Sequence, residues 1–182
     1  MTILNILQYP NPRLKSVARP VKTFDQAIQK IIDDMFETHY HAQNCAALAA
    51  TQLDIIHPPA ITVIDFSPEK NQPLCLINPE IIYREGEMLE KEGCMSVGGE
   101  TYEVVHRFAK IKVKALDRQG HPLLLEAEGF MAKCMQHEID HLNGKIFLDH
   151  LSALKRRRID IKLRKLVQTH HAQSHMSDPS PS

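Results

Sequence analysis

Apolar residues recur at intervals of three and four through Phe24, Ala27, Ile28, Ile31, Ile32 and Met35, the spacing of one buried helical face. Thr23 precedes this run as a cap with Gln26 as its box partner, so a helix is expected from near Phe24 to near His41. From Ala60 to Phe66 the residues are largely β-branched or apolar, and Cys75 to Tyr83 reads the same way around Pro79, which predicts two short strands. Strict alternation follows. Ile111, Val113 and Ala115 interleave with Lys110, Lys112 and Lys114, and Leu123, Leu125 and Ala127 alternate again beyond the turn residues Asp117 to Gly120. The pattern predicts a hairpin with one dry face and one wet, lysine-lined face. A second helix is expected after Glu128 or Gly129, stopping near Asn143 and Gly144, and a third after Ser152. Beyond about Leu166 the chain turns polar and ends in serine and proline, so residues 1–168 are expected to form one domain and 169–182 a disordered polar tail. This mixture of helices and hairpin-connected strands belongs to the α+β class.

Composition narrows the setting. A chain of 182 residues, 43% hydrophobic and 24% charged, can bury a single core without disulfide staples. Its formal charge of zero provides no whole-molecule attraction to nucleic acid or membrane. Met1 to Pro12 lacks a basic start followed by an apolar run, and no stretch is long enough to span a bilayer, so a cytoplasmic address is expected. There, Cys45, Cys75, Cys94 and Cys134 are expected as reduced thiols or metal ligands. One local exception to neutrality stands out. Lys155, Arg156, Arg157, Arg158, Lys162, Arg164 and Lys165 crowd one helical segment opposed only by Asp160, either a solvated face or a phosphate-seeking one.

The candidate chemistry lies in Gln136, His137, Glu138, Ile139, Asp140 and His141. Two histidines four apart on a helix project about 40° apart and roughly 6 Å along it, close enough for one ion to sit between them. Glu138 flanks that position, where its carboxylate can take a proton from water and pass it to a leaving group. With 11 histidines in the chain, chance alone produces the pattern in roughly one such chain in twenty-five, so the motif needs support from elsewhere. A catalytic ion also needs a third protein ligand. Cys134 lies a turn below His137 with a short side chain and reads as a packed small hydrophobe. Cys94, in Glu92-Gly93-Cys94-Met95-Ser96, is presented from a separate segment and is either the ligand or a buried inert thiol. A zinc peptidase would share the helix but would draw its third ligand from downstream, where His150 is the candidate, leaving Cys94 idle.

Taken together, Glu92-Gly93-Cys94-Met95-Ser96 and Gln136-His137-Glu138-Ile139-Asp140-His141, preceded by Leu48-Ala49-Ala50-Thr51-Gln52, resemble the peptide deformylase family. The resemblance runs from Tyr9-Pro10-Asn11-Pro12-Arg13-Leu14 to the basic helix after Ser152. It implies antiparallel sheets wrapped around a central metal-binding helix, with an N-terminal and a C-terminal helix. It implies removal of the formyl group from the initiator methionine of new polypeptides. By the same resemblance Cys94, His137 and His141 are metal ligands, Glu138 is the general acid and base, and Gln52 with the backbone N–H of Met95 are oxyanion donors. The implied metal is ferrous iron, with zinc, nickel or cobalt as substitutes, and the implied partners are formyl-Met nascent peptides and the ribosome. The chain departs from the family at Cys45 and Ala47, where glycines are usual, and at Gly98 and Thr101, where a proline and a substrate-binding arginine are usual. These departures imply an altered peptide groove, and they motivate a second reading as a non-catalytic paralogue that binds ribosomes or formylated chains.

Overall fold

The computed structural model describes residues 1–98 and 100–176. In chain order the elements are α1 (Gln26–His41), β1 (Ala47–Ala49), β2 (Ile61–Ile64), β3 (Leu74–Glu85), β4 (Met88–Glu92), β5 (Glu103–Arg107), β6 (Lys110–Leu116), β7 (Pro122–Glu128), α2 (Gly129–Leu142) and α3 (Ala153–Met176). Five strands form an antiparallel sheet in the order β1-β2-β3-β6-β7, and β4 and β5 pair as a separate ribbon. The central helix α2 packs against β1, β2, β6 and β7. Its Ala132, Met135 and Ile139 join Ile64, Leu76, Ile111 and Val113 in one core cluster. This is the α+β arrangement around a central helix that the resemblance implies. Among the described residues no helix is long and apolar enough to cross a membrane.

Helix α1 starts later than its periodicity predicts. The cap is Asp25, not Thr23: its backbone is extended (φ −80°, ψ −177°) and its carboxylate accepts the Ile28 N–H at 3.1 Å. Phe24 remains outside the helix and packs its ring over Gly120 in the β6–β7 turn, where an added Cβ would approach that ring to 2.8 Å. The hairpin itself has the predicted register, with Val113 opposite Leu125. Lys112 and Lys114 face outward to Glu126 and Glu80, each at 3.2 Å. Strand β3 accommodates Pro79 through a register shift between Ile77 and Glu80. Asn78, at φ 50°, holds the irregularity by exchanging two 2.8 Å hydrogen bonds with the backbone of Val21.

Strands β1, β4 and β5 lie where no strand was expected. β1 is three residues long and wholly buried, so it carries no alternation. β4 exposes three consecutive residues, because only Glu92 at its end turns inward. Helix α3 continues through 169–176, past the boundary expected at 168, because extending an existing helix adds one backbone bond for each residue fixed. The remainder of the expected tail, 177–182, lies outside the described residues.

Gly144 ends α2 at φ +76°, and a Cβ there would stand 2.5 Å from the carbonyl oxygen of Lys15. The obstacle is backbone and cannot swing aside. Gly144→Ala is expected to destabilise the fold by about 1–3 kcal/mol in urea unfolding. Unchanged stability would show that this turn tolerates a side chain.

Candidate metal centre

Helix α2 presents His137 and His141 on one face with their Nε2 atoms 3.2 Å apart. Cys94 Sγ stands 3.2 Å from His141 Nε2, and the three donor atoms all lie within 4.8 Å of one another. Cys94 reaches this point from the turn after β4, closed by the Val97 N–H donating to the Cys94 carbonyl at 3.0 Å. Gly93 lets the Tyr102 ring approach closely there, since a Cβ would fall 2.5 Å from that ring. The donor set fits a cation. His137 Nδ1 is bonded to Glu92 Oε1 at 2.8 Å, which turns Nε2 toward the other two donors. Burial and the neighbouring His137 hold His141 in the neutral form that coordination requires. Its Nδ1 is buried without a hydrogen-bond partner among the described residues. One sulfur and two nitrogens converging in this way suit a divalent first-row ion with a fourth position open.

Glu138 is 3% exposed, and its Oε2 has no partner among the described residues. Burial pushes its carboxyl up to about 7, into the range where a group can both take and give a proton near neutrality. Gln52 closes a 3-10 turn (Ala50–Gln52), and its amide is oriented by the Ala49 N–H, which donates to Oε1 at 2.9 Å. That bond turns Nε2 toward Ser96 Oγ at 3.2 Å and Cys94 Sγ at 3.5 Å. The carbonyl of Met95 accepts from Gln8 Nε2 at 2.8 Å, while the Met95 N–H has no acceptor among the described residues. A cavity of about 450 Å³ is lined by Cys94, Met95, His137 and Glu138, with Tyr102 and Phe130 on its walls.

The other sequence candidates lie elsewhere. Cys134 is buried in the core cluster, and burial pushes its thiol well above the ordinary range, as for a packed small hydrophobe. His150 Nε2 is 2.7 Å from Asp140 Oδ2 and stands apart from the three converging donors. Cys45 Sγ meets His39 Nδ1 at 3.2 Å, and Ala47 sits in β1 without positive φ. Thr101 donates to the Gly98 carbonyl at 2.9 Å. Sequence reasoning missed Arg107, which is 4% exposed and grips Glu92 through two bonds of 2.7 and 2.8 Å. Burial alone would raise the Glu92 carboxyl, but Arg107 and His137 outweigh it and hold it at about 2. The one sequence signal for Glu92 was its place beside Gly93 and Cys94; Arg107 carried none.

Residues 3–157 match the family described as polypeptide deformylase. The chain is 68% identical over 164 residues to peptide deformylase 1 of Coxiella burnetii, covering 90% of this chain and 96% of that one. Among solved structures, a peptide deformylase from Legionella pneumophila superposes with a TM-score of 0.83 at 42% identity, covering 98% of this chain and 100% of that one. The Ehrlichia chaffeensis enzyme, solved in complex with actinonin, gives 0.82 at 39% identity over 91% of this chain and 98% of its own.

Proposed function

The chain belongs to the peptide deformylase family, and on that premise we propose which side chains perform the hydrolysis. The enzyme removes the N-formyl group from the initiator methionine of new polypeptides and releases formate. The observation that carries the assignment is the convergence of Cys94 Sγ, His137 Nε2 and His141 Nε2 beside the Glu138 carboxylate.

Cys94, His137 and His141 would hold one divalent cation, which would supply a water acidic enough to ionise near neutral pH. The Glu138 carboxylate would accept a proton from that water as its oxygen adds to the formyl carbon, and would return the proton to the methionine nitrogen as the carbon–nitrogen bond breaks, leaving formate and a free amine. Gln52 Nε2 and the Met95 N–H donate to the formyl oxygen as negative charge builds on it. Glu92 keeps the His137 ring in the orientation that directs Nε2 into the site. Gln52→Ala is expected to slow formate release by about 10²–10³-fold, the usual loss for one oxyanion donor, with metal content unchanged. Near-normal turnover in that variant would remove Gln52 from the mechanism.

The native metal is proposed to be ferrous iron, as the family resemblance implies. Anaerobic purification followed by elemental analysis tests this, with zinc, nickel and cobalt as the competing outcomes. The exposed basic residues of α3, including Arg156, Arg157 and Lys162, are proposed to meet ribosomal phosphate in the cytoplasm. Ribosome binding that persists in high salt would contradict that role.

A further inference from the structure

We propose that His150 is a positioning residue for the metal centre, acting through Asp140, Arg107 and Glu92 on the His137 imidazole. The inference rests on His137 being a metal ligand. Five side chains join end to end. His150 Nε2 lies 2.7 Å from Asp140 Oδ2, to which its Nε2–H tautomer donates, and the same oxygen accepts from Arg107 Nη1 at 2.6 Å, with Nη1 itself 3.3 Å from His150 Nε2. Arg107 Nε and Nη2 grip Glu92 Oε2 and Oε1 at 2.7 and 2.8 Å. Glu92 Oε1 finally accepts from His137 Nδ1 at 2.8 Å. The side chains of Arg107 and Glu92 are each 3% exposed, whereas His150 is 33% exposed, so the relay runs from the metal helix to the solvent.

The charges explain why such an arrangement needs its outer member. Arg107 lies between two carboxylates, so with His150 neutral the relay has one surplus negative charge. That charge is directed through the His137 ring toward the convergence of donors, where it favours a bound cation. Arg107 divides its donors between Glu92 and Asp140, and His150 supplies Asp140 with a second one. Without His150, Asp140 draws harder on the guanidinium, and the two-bond grip on Glu92 loosens. Glu92 then holds His137 Nδ1 less firmly. Geometry reinforces the coupling. His150 closes the 3-10 turn Phe147–His150, and Phe147 stacks on the His137 ring at a centroid distance of 6.1 Å.

The test compares His150→Phe with His150→Gln, whose amide can still donate to Asp140. Zinc affinity is measured by competition with a chelator, and the thiolate-to-cobalt absorption band is recorded in cobalt-loaded protein. His150→Phe is expected to weaken zinc binding by about 3- to 10-fold, less than the roughly 10–100-fold typical of a ligand's direct partner, and to shift the cobalt band. It should lower kcat with KM unchanged, and His150→Gln should restore all three. A merely structural role predicts a lower unfolding midpoint with the cobalt band unmoved, which would overturn the proposal. So would equal zinc affinity in both variants and the parent. If the parent itself failed to compete for zinc, the assignment of His137 as a ligand would fall, and this inference with it.

Discussion

Glu138→Gln is expected to reduce formate release by about 10²–10⁴-fold while the protein folds normally and takes up its metal. The amide matches the carboxylate in shape but cannot accept a proton from water. The burial of this carboxylate gives the substitution a stability consequence as well. Glu138 is 3% exposed with an unpartnered oxygen, so its charged form is a liability in the metal-free fold. Its folded carboxyl is raised to about 7 from an ordinary value near 4.5. A raised carboxyl binds more protons folded than unfolded, so this group's penalty on the metal-free protein is absent below about 4.5 and complete above about 7. Glu138→Gln removes that dependence. Metal-free variant and parent should therefore diverge in stability as pH rises through this window, the variant being the more stable at the upper end. Thermal unfolding across the window, paired with formate assays on the metal-loaded protein, reads both effects. Strong residual turnover with glutamine at this position would require another proton carrier.

The second large effect separates two cysteines. Cys94→Ala removes the one sulfur donor among the three converging atoms and leaves a pair of imidazoles. Metal affinity should drop by more than about 100-fold, since losing only a ligand's hydrogen-bond partner commonly costs roughly 10–100-fold. Turnover should fall with it. Cys134→Ser is the informative contrast. That thiol is held in its neutral form by burial, so serine there should leave the metal bound and at most weaken the packing around Met135 and Ile139. Elemental analysis of the two purified variants decides the matter. Full metal in the Cys94 variant would point back to a histidine downstream, with His150 as the candidate.

The departures at Cys45, Ala47, Gly98 and Thr101 leave no strained backbone behind. Ala47 is accommodated in extended conformation, and Gly98 has open space around it, with only Gln8 Oε1 within 3.9 Å of an added Cβ. Ala47 lines the same cavity as Cys94, His137 and Glu138.

What could be read along the chain is whatever helical or strand geometry imposes locally. Residues 137, 138 and 141 face one region because a turn of helix takes 3.6 residues, whatever surrounds it. The lysine-faced hairpin is equally local, since alternation and turn residues suffice to specify it. The cap of α1 was misplaced between neighbours, Thr23 for Asp25, because both side chains can accept and only the backbone conformation selects one. The ribbon of β4 and β5 escaped because β4 exposes most of its length, leaving no alternation to detect.

Other features depend on distance in sequence and on burial, and no local pattern encodes either. Cys94 and His141 are 47 positions apart and Gln52 and Cys94 are 42 apart, so it takes the packed chain to set which sulfur and which amide meet the histidines. Nothing in the residues around Arg107 distinguishes it from the other cations of the chain. Closing β5 against the 3-10 turn Phe147–His150 strips water from it, and a guanidinium so enclosed must have carboxylates beside it, which is how Asp140 and Glu92, the partner of His137, came to flank it.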